Sequence, residues 1–165
     1  MGRVSKQRQE ELGTYCDEGL LYLSRADYKI YAKHISKKLG LILVETSLNE
    51  QEIAEIFYQA LTSRLHEFFD QPTEPVYQAM EKDITILSEY LWIDPCRVVY
   101  PARNLHTDYD QASHSVNTMF VGLAIYIYFN HDKMDKLYLN KAALGFLLHD
   151  LGMSKVPAYI TDKNT

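Results

Sequence analysis

From Ser47 to Leu151 the apolar residues of this chain recur at steps of three and four, and each such run is closed by a breaker. Gln71-Pro72 with Glu74-Pro75, then Asp94-Pro95, then Asn130-His131-Asp132 and finally Gly152 punctuate the segment. Steps of three and four place side chains on one face of a helix, whereas a half-buried strand needs alternation at two. No strand series, internal repeat or low-complexity segment interrupts the pattern, so the expected fold class is all-α, a helical bundle.

The individual stretches carry their own boundaries. Ser47 and Glu50 have the spacing of a capping box, which predicts a helix start there with Ile53, Ile56, Phe57, Ala60, Leu61, Leu65, Phe68 and Phe69 as its core stripe. A second helix is predicted from about Pro75 to Trp92, burying Val76, Met80, Ile84, Leu87 and Leu91. Tyr28, Tyr31, Ile35 and Leu39 predict an earlier helix over Ala26 to Leu39 with Gly40 as its C-terminal cap. Leu41 to Val44 reads as either a strand or a buried connector, and the polar stretch Met1 to Gly13 as a mobile tail or frayed helix. The last two helices are predicted over about Asp108 to Phe129 and Lys136 to Leu151.

Composition narrows the function classes. A net charge of -5, from 17 basic and 22 acidic residues, gives little support for binding a nucleic-acid polymer. Apolar runs such as Val121 to Phe129 fall short of the roughly 20 residues of a membrane span, and no signal-like segment opens the chain. A cytoplasmic protein is the expectation, with Cys16 and Cys96 as free thiols in unlike contexts.

The stretch His149-Asp150-Leu151-Gly152-Met153-Ser154-Lys155-Val156-Pro157 sets an imidazole beside a carboxylate at the end of an apolar run. From His114 to Phe129 a helix climbs about 22 Å, and from Asp135 to His149 the return is about 21 Å, at ~1.5 Å per residue. An antiparallel hairpin therefore brings His149 and Asp150 back to the level of His114, with Asp110 one turn before it. Imidazole nitrogens and carboxylate oxygens converging in this way suit iron, manganese, zinc or a related divalent ion. Each of these residues taken alone reads more readily as an ordinary hydrogen-bonding group; the set as a whole favours a metal site.

These residues resemble the HD superfamily of metal-dependent phosphohydrolases, and specifically its HD-GYP branch. "ASHSVNTMFVGLAIYI" is similar to the family's HS-x-x-V helix, and "KAALGFLLHDLGMSKVPAYITDK" to its AALLHDIGK-x-x-VP-x-x-IL-x-K segment, a likeness covering roughly residues 108 to 163. The resemblance implies an incomplete HD-domain fold over residues 106–165, preceded by a helical lead-in over residues 1–105. It implies His114, His149 and Asp150 as metal ligands, Asp150 bridging metals in a catalytic role, and Asp110 where related proteins carry an extra acidic ligand. It further implies iron or manganese as cofactor, with occupancy in a truncated chain left open, and a cyclic dinucleotide as substrate, hydrolysed as cyclic di-GMP is by metal-activated water.

Two departures qualify what the resemblance implies. Met153 stands where the family usually has a phosphate-contacting Lys, and Lys155, two residues on, is the candidate substitute. The family's further histidines, its last aspartate and the GYP motif have no counterpart here, so the chain is expected to be a fragment of a bacterial phosphodiesterase, inactive in this form. His34, His66, His106 and His131 do not fill the gap. The alternative is a degenerate HD domain that signals or binds a partner without catalysis. A bare hairpin face also leads us to expect a homo-oligomer or exchange of helices between chains.

Overall fold

A computed structural model describes residues 5–17, 20, 36–44, 48–107 and 110–156. Two compact units emerge, Met1–Ala32 and Lys33–Thr165. The division expected at residues 105 and 106 thus lies inside the second unit.

The first unit contains α1 (Lys6–Asp17), formed where a tail or frayed helix was expected. The Ser5 hydroxyl accepts from the Arg8 amide at 3.4 Å, satisfying one free donor of the first turn. Leu12 and Tyr15 are exposed. Most of the helix predicted over Ala26 to Leu39 lies outside the described residues.

The second unit opens with a 3-10 helix, Ser36–Val44, in place of a cap at Gly40 and a strand or connector after it. Its three-residue period explains the burial: Leu39 and Ile42 are 2% exposed, while Leu41 and Leu43 face outward. Next come α2 (Glu50–Asp70) and α3 (Glu74–Ile93), a 3-10 turn (Pro95–Val98) and the short α4 (Val99–Arg103). The final hairpin is α5 (Gln111–Asn130), a 3-10 turn (His131–Lys133) and α6 (Lys136–Leu147), which leads into a last 3-10 turn, Leu151–Lys155. There is no strand among the described residues, and the architecture is an all-α helical bundle. No helix among them is long and apolar enough to cross a membrane.

The helix starts follow local chemistry. The capping box of α2 forms two residues later than Ser47 and Glu50: Asn49 Oδ1 accepts from the Glu52 amide at 3.0 Å, and Glu52 accepts from the Asn49 amide at 3.0 Å. Both sites have the required spacing, and the one adjoining Ile53 keeps the apolar stripe in register with the core. Asn49→Ala is expected to cost about 1 kcal/mol of stability in urea unfolding, the usual loss for an N-cap side chain. Asp94 closes α3 and then accepts from the Cys96 amide at 3.0 Å, so one residue both ends a helix and begins the next turn. Cys96 is a free, exposed thiol.

Packing joins the early helices to the hairpin. Helix α5 packs along α6, α3 packs on both α2 and α6, and α2 also touches α5. Their seam holds Phe57, Leu61, Met80, Ile84, Met119 and Leu123, each no more than 1% exposed. Arg64 of α2 bonds Asp83 of α3 at 3.0 Å, and Lys136 at the start of α6 pairs with Glu89 of α3. Burial pushes the Asp83 carboxyl above its ordinary value despite the Arg64 guanidinium beside it. Helices α2 and α3 are therefore one side of the same core that positions the candidate site.

Candidate metal centre

The first turn of α5 and the turn after α6 meet, as the matching climb and return of the hairpin require. Helix α6 ends at Leu147, earlier than expected, so His149 and Asp150 lie in the turn that follows it and not on the helix itself. Gly152 is not a left-handed stop, since the chain tightens into 3-10 geometry instead. The Leu151 amide donates to Leu148 at 3.0 Å and the Met153 amide to Asp150 at 2.8 Å, which satisfies carbonyls that a helix end leaves free.

Two further contacts aim the side chains. His149 Nδ1 lies 2.8 Å from the Phe146 carbonyl, an acceptor that can only be met by an N–H. That contact makes Nδ1 the donor and turns Nε2 towards Asp150, the ring orientation in which a histidine presents Nε2 to a metal. Gln111 Nε2 donates to the Asp150 carbonyl at 2.8 Å, tying the turn to the first turn of α5.

Asp150 Oδ2 then lies 3.1 Å from His149 Nε2 and 3.5 Å from His114 Nε2. The two imidazole rings are 5.5 Å apart, and one ligand atom from each of the three residues lies within 4.8 Å of the others. Ligands about 2.0–2.2 Å from a common ion sit roughly 3.0–3.5 Å from one another at neighbouring positions, which matches the separations of Asp150 from the two histidines. The donor set fits a divalent cation chemically as well: two imidazole nitrogens and a carboxylate oxygen are ligands that such ions take. The group is open to solvent, with the His114 side chain 60% exposed, so water can reach it.

Asp110 does not join this group. It stands one residue before α5, and its carboxylate accepts from the Ser113 amide at 3.0 Å and the Ser113 hydroxyl at 2.6 Å. Lying outside the helix, it has its oxygens engaged as an N-cap. Burial works to raise its pKa, but the Ser113 bonds and the facing His66 outweigh it and hold the carboxyl below its ordinary value. A carboxylate whose folded pKa lies below its unfolded one contributes stability above the unfolded value and loses it as pH falls through the folded one. Asp110→Asn, which keeps the cap and removes the charge, is expected to flatten the loss of stability below about pH 4 in acid thermal melts while leaving metal affinity unchanged.

Lys155 ends the last 3-10 turn and is exposed, and Met153 in the same turn is 43% exposed. The remainder of the motif from Pro157 onward lies outside the described residues, as does His34. His66 faces Asp110 at 3.5 Å, and His106 bonds Glu55 at 2.9 Å while stacking on Tyr58 with centroids 3.5 Å apart. Asn117 of α5 grips the backbone of His106 on both sides, through its amide at 3.2 Å and its carbonyl at 2.7 Å. His106 is thus a clamp between α2 and α5. Sequence reasoning passed over both pairings, which span 44 and 51 positions without a motif, and it missed Gln111, whose only signal is its place one turn before His114.

Fold and geometry together define an all-α bundle carrying a His/Asp group able to hold a metal ion. No family model, curated protein or solved structure matches the chain.

Proposed function

We propose that His114, His149 and Asp150 bind a divalent cation and that the chain is part of a metal-dependent phosphohydrolase of the HD type. The observation that carries the reading is one carboxylate oxygen held near two imidazole nitrogens, one of them presented by a hydrogen bond on the opposite side of its ring. The resemblance to the HD-GYP branch supports iron or manganese as the ion and a cyclic dinucleotide as the substrate. Bound metal would polarise a phosphodiester and lower the pKa of a coordinated water. The chain's own residues present the ligands; water, a partner chain or further sequence would complete the coordination of one or two ions.

The test is calorimetric titration with Mn2+, followed by hydrolysis of bis(p-nitrophenyl) phosphate and of cyclic di-GMP by the loaded protein. Stoichiometric binding with metal-dependent release of p-nitrophenol supports the reading, and absence of any metal binding at neutral pH ends it. Met153 favours a second reading, a non-catalytic HD-type domain that binds metal or nucleotide and signals. A thioether cannot donate the charge-assisted hydrogen bond a phosphate would need there. Binding of metal and cyclic di-GMP without turnover, unchanged by Met153→Lys, identifies that case.

A further inference from the structure

The outer face of α5 is uncharged and largely apolar. None of the 20 residues of α5 is Asp, Glu, Lys or Arg. Its inner face carries Ala112, Val116, Met119, Leu123 and Ile127 into the core. On the other side Thr118, Val121, Ile125 and Tyr128 recur at helical steps and so share one stripe. Ile125 is 56% exposed, and Tyr128 and Phe129 are 77% and 76% exposed.

This stripe has a projection on one side of Ile125 and a hollow on the other. Tyr128 and Phe129 meet edge to face, with ring centroids 5.2 Å apart, and stand out together. Towards the other end a depression of about 390 Å3 is bounded by Leu105, Val121, Gly122, Ile125 and the Phe146 ring. Gly122 is needed there, since a Cβ would come within 2.8 Å of that ring. A two-fold axis through Ile125 brings Tyr128, three residues after it, against the Phe146 ring that lies over Gly122, three before it, and Phe129 against Val121. An isologous contact requires this kind of self-complementary surface.

We propose that two copies of this chain associate through α5, antiparallel about a two-fold axis at Ile125, each seating Tyr128 and Phe129 in the Gly122 hollow of the other. At roughly 200 Å2 per aromatic side chain and less for an aliphatic one, the exposed parts of Leu105, Val121, Ile125, Tyr128 and Phe129 amount to about 500 Å2. Two copies bring together about 1,000 Å2, the size at which a specific interface begins, and a bare patch of 500 Å2 is towards the upper end for a monomer. The missing charge on α5 means that antiparallel copies bring no like charges from this helix into contact. His114 lies 11 residues from Ile125, about 16 Å along the helix, so the metal group stays outside the contact and the two proposals stand or fall separately.

Sedimentation velocity of the 165-residue chain over a wide concentration range tests the association, with a dimer of roughly micromolar Kd expected. Tyr128→Asp, at an exposed position, is expected to keep the helical circular dichroism and weaken the dimer by about tenfold or more. Register is tested in a Cys16→Ser, Cys96→Ser background. There Ile125→Cys is expected to form a disulfide-linked dimer under mild oxidation, because a residue on the axis meets its own copy, whereas Thr118→Cys is not. A monomer at sub-millimolar concentration overturns the proposal. So does a Thr118→Cys variant that cross-links as readily as Ile125→Cys, or a Tyr128→Asp variant that dimerises unchanged. Should Tyr128→Asp lose its helix signal, the pair of cysteine variants decides.

Discussion

His149→Ala is expected to lower affinity for Mn2+ by about a hundredfold or more, a loss of roughly 2.7 kcal/mol in binding free energy. The size follows from the site's economy of donors. In the proposed site three side chains supply the protein ligands, so removing one would leave two, both half-exposed and competing with water. Asp150→Asn should do comparable damage while preserving shape, because it removes the charge that two imidazoles face. Protons compete with the metal for imidazole nitrogen, so wild-type affinity should fall on acidification. His66→Ala is the matched control, since His66 contacts Asp110 and lies outside the group. Calorimetry at neutral pH gives the comparison, and equal affinities for wild type and His149→Ala would remove the basis of the metal reading.

The second large effect lies in the core. Phe57→Ala is expected to destabilise the fold by about 3–5 kcal/mol, from lost transfer free energy and the cavity left behind. Phe57 is 1% exposed on α2, and its ring lies 5.3 Å from that of Tyr90 on α3, tilted at 44°. Tyr90 in turn bonds Glu50 through its hydroxyl and carries the Arg97 guanidinium 4.7 Å above its ring. Truncation therefore removes one wall of an aromatic pair that joins the starts and ends of two helices. Against a typical total of about 5–15 kcal/mol, such a loss should shift the urea midpoint strongly without changing metal affinity of the protein that remains folded. A loss below about 1 kcal/mol would show that α2 and α3 do not pack through this ring.

Much of the bundle was legible because helix period and helix breaking are local. The stripes of α2 and α3 were readable from their spacing, except that Phe69 and Val76 at their edges are half-buried, and so were the breaks at Pro72 and Pro95, where the missing proline N–H and its ring interrupt the ladder. Boundaries were less legible where two local solutions compete. Asn49 with Glu52 displaced Ser47 with Glu50, and the end of α6 tightened into a 3-10 turn where a glycine stop at Gly152 was expected. The segment Ser36–Val44 was ambiguous because a short apolar run has no period long enough to read.

The candidate site divides along the same line. That His149 and Asp150 return to the level of His114 follows from the sequence by itself, since the rise per residue is constant and the two limbs of the hairpin match in length. The capping of Ser113 by Asp110 is local, three residues apart, but only the tertiary structure decided that Gln111 holds the turn and that His66 and His106 pair with acids brought from elsewhere in the chain. Those roles depend on which helix faces meet, and the meeting is set by packing of side chains far apart in sequence, where no local period or spacing carries the information.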